Sequence, residues 1–312
     1  MSKLSDYGVI FCITMGGLVL ALLKKTSLAT LILLFGISVL LITFYHFILT
    51  KYNLFYRITG KVTKSLLCVY SILSSAVACA TASAVVAHTG AVKNEFYPVI
   101  VVLICLFALV FTCSGVKAAK NTTAISTVSV TILMILLLFL CINKRNFSYV
   151  YSGEINLLFL LPLTAFSVCD IILVISYISN KNSRFFVLGN ITPLIYLIAM
   201  VLIAVSTLGN NLFSEIELPL LHLWKSTFIP SFLNNFELIA LSGFFICCAL
   251  KAGLVLKYSA DVFGENRLWI IAVLLFALVA LISYVNASVY VIAVFSLFCG
   301  VVLPIVCILK NY

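Results

Sequence analysis

Charge is scarce in this sequence. Only 9% of its 312 residues are charged, and only nine are acidic. A soluble domain clothes its surface in Lys, Glu, Arg and Asp, so a chain this poor in them is not one. Histidine is rarer still, at three residues. No stretch presents a His/Asp, Ser/His or carboxylate cluster of catalytic type, so no enzymatic activity and no cofactor are expected. Alternating strand patterns are missing as well, which excludes a membrane β-barrel. Basic tails and basic faces are also absent. The formal net charge is +10, yet the basic residues are scattered over short connections, and we expect no nucleic-acid partner. The 11 cysteines lie in hydrophobic segments without metal-ligand spacing. They read as small apolar residues, and no metal is expected.

Hydrophobic residues make up 64% of the chain. Helices satisfy their own backbone in lipid, so the expected class is an all-α polytopic membrane protein. Ten apolar runs are legible: 7–23, 28–49, 65–88, 97–116, 125–142, 155–178, 186–208, 236–256, 268–285 and 287–309. The last two divide one uncharged run at 284–288. The first run has no processing site after it and reads as a retained helix. With the N-terminus inside, twelve basic residues fall in cytoplasmic connections and six outside. That asymmetry predicts both termini in the cytoplasm. The chain is expected to be a single transmembrane domain in the lipid bilayer, residues 1–312.

The sixth run, LLFLLPLTAFSVCDIILVISYI, is the least regular. Pro162, Thr164, Ala165 and Ser167 interrupt it, and Asp170 sits in its inner half. An ionisable group within a span usually faces a bundle interior or a wet cavity. A proline-kinked packing helix is the plainer alternative. Run one carries Gly16 and Gly17 near its middle, which reads either as a packing notch or as a break. The two interruptions correspond if the chain is two halves of five spans, about 7–142 and 155–309. Paired interruptions point to a transport-type site. We therefore expect unwound backbone at Gly16–Gly17 and at Ala165–Ser167, including Phe166, lining one cavity. Run three is dense in Ser, Ala and Thr and is placed centrally, with Tyr70 and Ser74 either packing against neighbouring helices or reaching a ligand.

The long connection 209–235 is expected to lie outside, as one or two short helices that either fold over the mouth as a lid or lie at the membrane interface with no gating role. It carries Glu215, Glu217 and Pro219, and ELPLLHLWKS has helical amphipathic spacing. Run eight opens with Phe236-Glu237, and carries Ser242 and the intramembrane Lys251. Asp170 and Lys251 each lie about seven or eight residues from a cytoplasmic end, so both sit roughly 10–12 Å deep. Lys251 either pairs with Asp170 or snorkels to the interface.

Three stretches carry a family resemblance: CSGVKAAKNTTAIS after run four, PLTAFSVCDIILV in run six, and TLGNNLFSEIELPLLHLWKSTFIPSFLNNFELIALSGFFICCALKAGLVLKYSA. They resemble the endospore germination permeases, the B subunits of germinant receptors, within the amino acid–polyamine–organocation transporter superfamily. Pro219 matches the lid proline, Phe236-Glu237 the aromatic–acid entry to span eight, Lys251 the lysine within it, and Asp170 an acid in span six. The chain departs from the pattern at Asn234-Asn235, where the family carries an acid–arginine pair, and in its short first outer loop.

The resemblance implies ten spans in a LeuT-like five-plus-five inverted repeat. Spans one, three, six and eight would surround a small germinant, such as an amino acid, at the midplane. Ser242 and the residues named above would line that pocket. It also implies an A-type membrane subunit and a C-type lipoprotein as partners, and the inner membrane of the spore as location. Lys251 would stand where related transporters hold a coupling cation. The alternative is a proton- or sodium-coupled secondary amino-acid transporter.

Overall fold

The computed structural model describes residues 2–23, 26–51, 60–88, 96–142, 154–178, 183–216, 219–226, 236–264, 267–284 and 287–309. Among them the regular elements are all helical, and there is no strand. The first half contains α1 (Ser2–Leu18), α2 (Leu20–Leu23), α3 (Leu28–Lys51), α4 (Lys61–His88), α5 (Tyr97–Cys113) and α6 (Val116–Ile142). The second half opens with α7 (Leu157–Thr164), a π-helical turn (Ala165–Cys169), α8 (Ile171–Val174) and a 3-10 turn (Ile175–Tyr177). It continues with α9 (Ser183–Glu215), α10 (Pro219–Ser226), α11 (Phe236–Phe263) and α12 (Leu268–Tyr284). It closes with α13 (Ala287–Leu297), a second π-helical turn (Phe298–Val302) and α14 (Leu303–Leu309).

Seven helical stretches are at least 18 residues long and apolar enough to cross a membrane. Shorter apolar helices cover 4–18, 97–113 and 268–283. This is a multi-pass, all-helical membrane protein. Burial divides the helices by role. In an 18-residue apolar stretch, 89% of residues are buried within 157–177 and 83% within 241–263, against 28% within 116–141. The broken segment and the lysine-bearing helix therefore form the centre, while α6 turns much of its apolar surface outward to lipid. The sequence shows why. Leu, Ile and Val favour lipid and protein alike, whereas Ser, Ala and Gly leave room only for close helix contact. That composition draws α4 and α11 together, and α1 packs against α6, α9, α11 and the first π turn.

Local polar groups fix the ends. Asn156 caps α7 by accepting from the Phe159 N–H at 3.0 Å. Ser27 caps α3, with the Thr30 N–H donating to its Oγ at 3.2 Å. The two caps interlock: Ser27 Oγ donates to the Glu154 carbonyl (2.6 Å), and the Asn156 N–H donates to Thr30 Oγ1 (3.0 Å). Farther in, Asn190 Nδ2 of α9 donates to Thr14 Oγ1 of α1 at 3.0 Å.

Two sequence expectations need correction. The break in the first run is not at Gly16–Gly17: α1 is helical through Leu18 and the interruption falls at Val19. Span six is not unwound at Ala165–Ser167 either, since the chain widens there into a π turn and keeps a helical path. Widening suits this sequence. Pro162 removes one backbone donor inside α7. The hydroxyls of Thr164 and Ser167 return to the Leu160 and Leu163 carbonyls at 2.9 and 2.5 Å. At its C-terminal end, α9 runs on past 209 to Glu215, kinked at Gly209 with φ 76°. A side chain would strain that left-handed backbone.

Candidate functional site

The π turn projects its consequences onto Asp170, the residue that follows it. π insertions in α-helices are frequent at functional sites. Asp170 is fully buried. Its Oδ1 accepts from Tyr70 Oη at 2.5 Å, and its Oδ2 from Ser74 Oγ at 2.6 Å. Tyr70 and Ser74 stand four apart on α4, one above the other on the same helix face. The third donor is Lys251 of α11, whose Nζ lies 2.7 Å from Asp170 Oδ2.

Lys251 is buried too, so it does not snorkel to an interface. Its ammonium also donates to the Phe166 carbonyl within the π turn. It lies 5.5 Å from the centroid of the Phe166 ring. Carboxylate, carbonyl and ring face together surround the cation. Burying two ions is costly, and the attraction repays it only when the remaining polar groups are satisfied. Here both carboxylate oxygens carry donors.

Gly16 and Gly17 explain how α1 comes so near. A methyl group on Gly17 would collide with the Phe166 carbonyl oxygen and lie 2.5 Å from Ser167 N. One on Gly16 would lie 2.9 Å from the Cys247 carbonyl oxygen and 3.0 Å from Lys251 Cβ. The glycines are a contact surface on which α1 lies flat against the π turn and the lysine stem. They do not line a cavity, because their neighbours are already in contact. Cys248 Sγ completes the junction by donating to the Gly16 carbonyl at 3.4 Å.

The residues expected to line a pocket thus fall into separate groups. Gly16, Gly17, Tyr70, Ser74, Ala165, Phe166 and Ser167 converge around the Asp170–Lys251 pair. Tyr70 and Ser74 direct their hydroxyls to the carboxylate, and Ser167 directs its own to the preceding turn. Ser242 is exposed on α11, away from this centre, and is corrected as a pocket residue. Pro219 opens α10 and is buried. Glu217 lies outside the described residues. Glu215 ends α9 and Glu237 lies in the first turn of α11, and both side chains lie outside the described residues.

Sequence reading missed a set of polar ties at the opposite end from α10. Asp6 of α1 pairs with Lys120 of α6 at 2.7 Å. Lys257, assigned to a connection by the hydropathy pattern, is buried within α11. Its Nζ donates to the carbonyls of Thr112 (3.0 Å) and Ser114 (2.6 Å) at the α5–α6 turn. Tyr177 Oη donates to Asp261 Oδ2 at 2.7 Å, joining the end of the sixth run to α11. The one available signal was spacing: Lys257 and Asp261 continue the period of α11, but a hydropathy window stops at the first charge. Tyr45 was also missed. It donates to the Gly300 carbonyl in the second π turn at 2.9 Å.

At the α10 end lies an aromatic cluster. Trp224 of α10 and Tyr196 of α9 both flank Phe244 of α11, with ring centroids 5.6 and 6.3 Å from it. Among the described residues no group of three or more His, Cys, Asp or Glu side chains is placed to hold a metal. No protein-family model matches this chain, and no curated protein matches it.

Proposed function

We propose that this chain is a solute sensor on a transporter-type helical core, a permease-like subunit of the germinant-receptor kind. In this reading ten spans form a five-plus-five inverted repeat in the inner membrane of the spore. The subunit recognises a small germinant such as an amino acid, and it works beside an A-type membrane subunit and a C-type lipoprotein. Two things support it: the resemblance carried by runs six to eight, and the Lys251–Asp170 pair. The pair is the carrying observation. A covalently tethered ammonium held by a carboxylate and a backbone carbonyl does the structural work of a bound cation and cannot be released to the other side. Such a centre favours a conformational signal over sodium-coupled flux.

The same pair favours one second reading. A proton placed on Asp170 removes the attraction to Lys251, so a proton-coupled amino-acid transporter fits the chemistry as well. Co-expression with an A-type subunit and a C-type lipoprotein, in spores lacking their own receptors, separates the two. A sensor makes the spores release ions in response to individual L-amino acids or sugars, with radiolabelled uptake into vesicles at background. Saturable uptake without a germination response overturns the sensor reading.

A further inference from the structure

Two buried polar atoms of the aromatic cluster stand out. Among the described residues, neither Trp224 Nε1 nor Tyr196 Oη has a hydrogen-bond partner. Trp224 is 1% exposed and Tyr196 5%. Burying such a group unpaired is costly, and native structures rarely leave one without a reason. Packing does not account for the Tyr196 hydroxyl, since phenylalanine there would keep the ring contact with Phe244 without an unpaired group.

Position adds to the case. Phe244 and Lys251 are seven residues apart on α11, so they share a face about 10 Å apart along the axis. The cluster therefore stands outward of the ion pair. Its cover is α10, whose Leu220, Leu223 and Trp224 face inward while His222 faces out. The centre itself is filled by Lys251, the π turn and α1, whereas the indole N–H and the phenol lie on its α10 side.

We infer that Trp224, Tyr196 and Phe244 form a recognition site beneath α10 for an amino acid-sized solute with an oxygen acceptor. The indole N–H donates only, so the ligand must present a carboxylate, carbonyl or hydroxyl oxygen to it. Tyr196 donates to a second oxygen or accepts from an ammonium. The flat face of Phe244 takes the apolar part of the ligand. Binding displaces α10 outward, because the Trp224 and Tyr196 rings already pack against Phe244 without a ligand. This inference deepens the sensor reading by giving its solute a place, and its test requires neither germination nor transport.

The chain has two tryptophans, and Trp269 is exposed at the start of α12. Trp269→Phe leaves Trp224 as the sole emitter in the purified full-length chain in nanodiscs. The probes are the twenty common L-amino acids, added singly at millimolar concentration. At least one should cause a saturable red shift in emission, as the indole N–H gains an acceptor. Tyr196→Phe in that background should weaken the same titration about tenfold, the worth of one hydrogen bond. It should leave the melting temperature equal or higher, because an unpaired buried hydroxyl has gone. A purely structural Tyr196 would instead give a lower melting temperature and an unchanged titration. That result, or no shift with any of the twenty amino acids, overturns the site. A shift in nanodiscs without any germination response would leave the site standing and count against the sensor reading alone.

Discussion

Lys251 Nζ and Asp170 Oδ2 stand 2.7 Å apart in the middle of the helical core, both buried, on different helices. The distance makes each charge a condition for the other. Tyr70 and Ser74 complete the carboxylate from α4, and the Phe166 carbonyl completes the ammonium. One contact thus gathers α4, α11 and the broken span, and α1 closes over it through Gly16 and Gly17.

Removing either charge should strand its partner. Asp170→Asn and Lys251→Met are each expected to cost about 3–5 kcal/mol of stability, the usual penalty for breaking a buried pair. The double variant should lose clearly less than the sum of the two. Reversible unfolding in mixed micelles measures all three. Additive losses would show that the charges act independently.

Gly17 should be intolerant of even one carbon. Gly17→Ala would drive a methyl group into the Phe166 carbonyl, and backbone on both sides cannot rotate away. The expected loss is about 3 kcal/mol, at the upper end of overpacking penalties. Gly36→Ala is the control. It is exposed in α3 with nothing within 4 Å of the added carbon, so it should be neutral or slightly stabilising. Equal melting temperatures for the two variants would contradict the close contact.

The buried Lys257 should hold the α5–α6 turn shut. In Lys257→Met the carbonyls of Thr112 and Ser114 lose their donor while the apolar stem is kept. Amide hydrogen exchange across 112–120 is expected to speed up about tenfold, with little change in α3, because the opening is local. Uniform acceleration throughout the protein would point to global destabilisation instead.

The charge asymmetry of the connections makes a claim about orientation. Reporter fusions at Tyr312 and at Asn211 should report opposite sides of the membrane, with the C-terminus cytoplasmic. Identical signals would refute the ten-span arrangement.

By itself the sequence determined the class of protein and the raw material of its centre. A chain with 64% hydrophobic and 9% charged residues has no stable option but helices in lipid. Asp170 and Lys251 were conspicuous because charges within apolar runs are expensive, and residue counting set them at one depth. Tertiary structure decided everything that depends on which face meets which. Gly16 and Gly17 look like a break in one dimension, yet they are helical, because a neighbouring backbone needs the space a side chain would take. Tyr70 and Ser74 resemble ligand contacts until the carboxylate they hold comes across from another helix. Ser242 has suitable chemistry for a pocket but points outward on α11. Lys257 reads as the start of a connection because hydropathy registers the charge and not the two carbonyls 145 and 143 residues earlier that neutralise its cost. Composition is a sum over residues and survives reading in order. Pairing between distant residues is set by helix rotation and packing, and only the folded chain contains it.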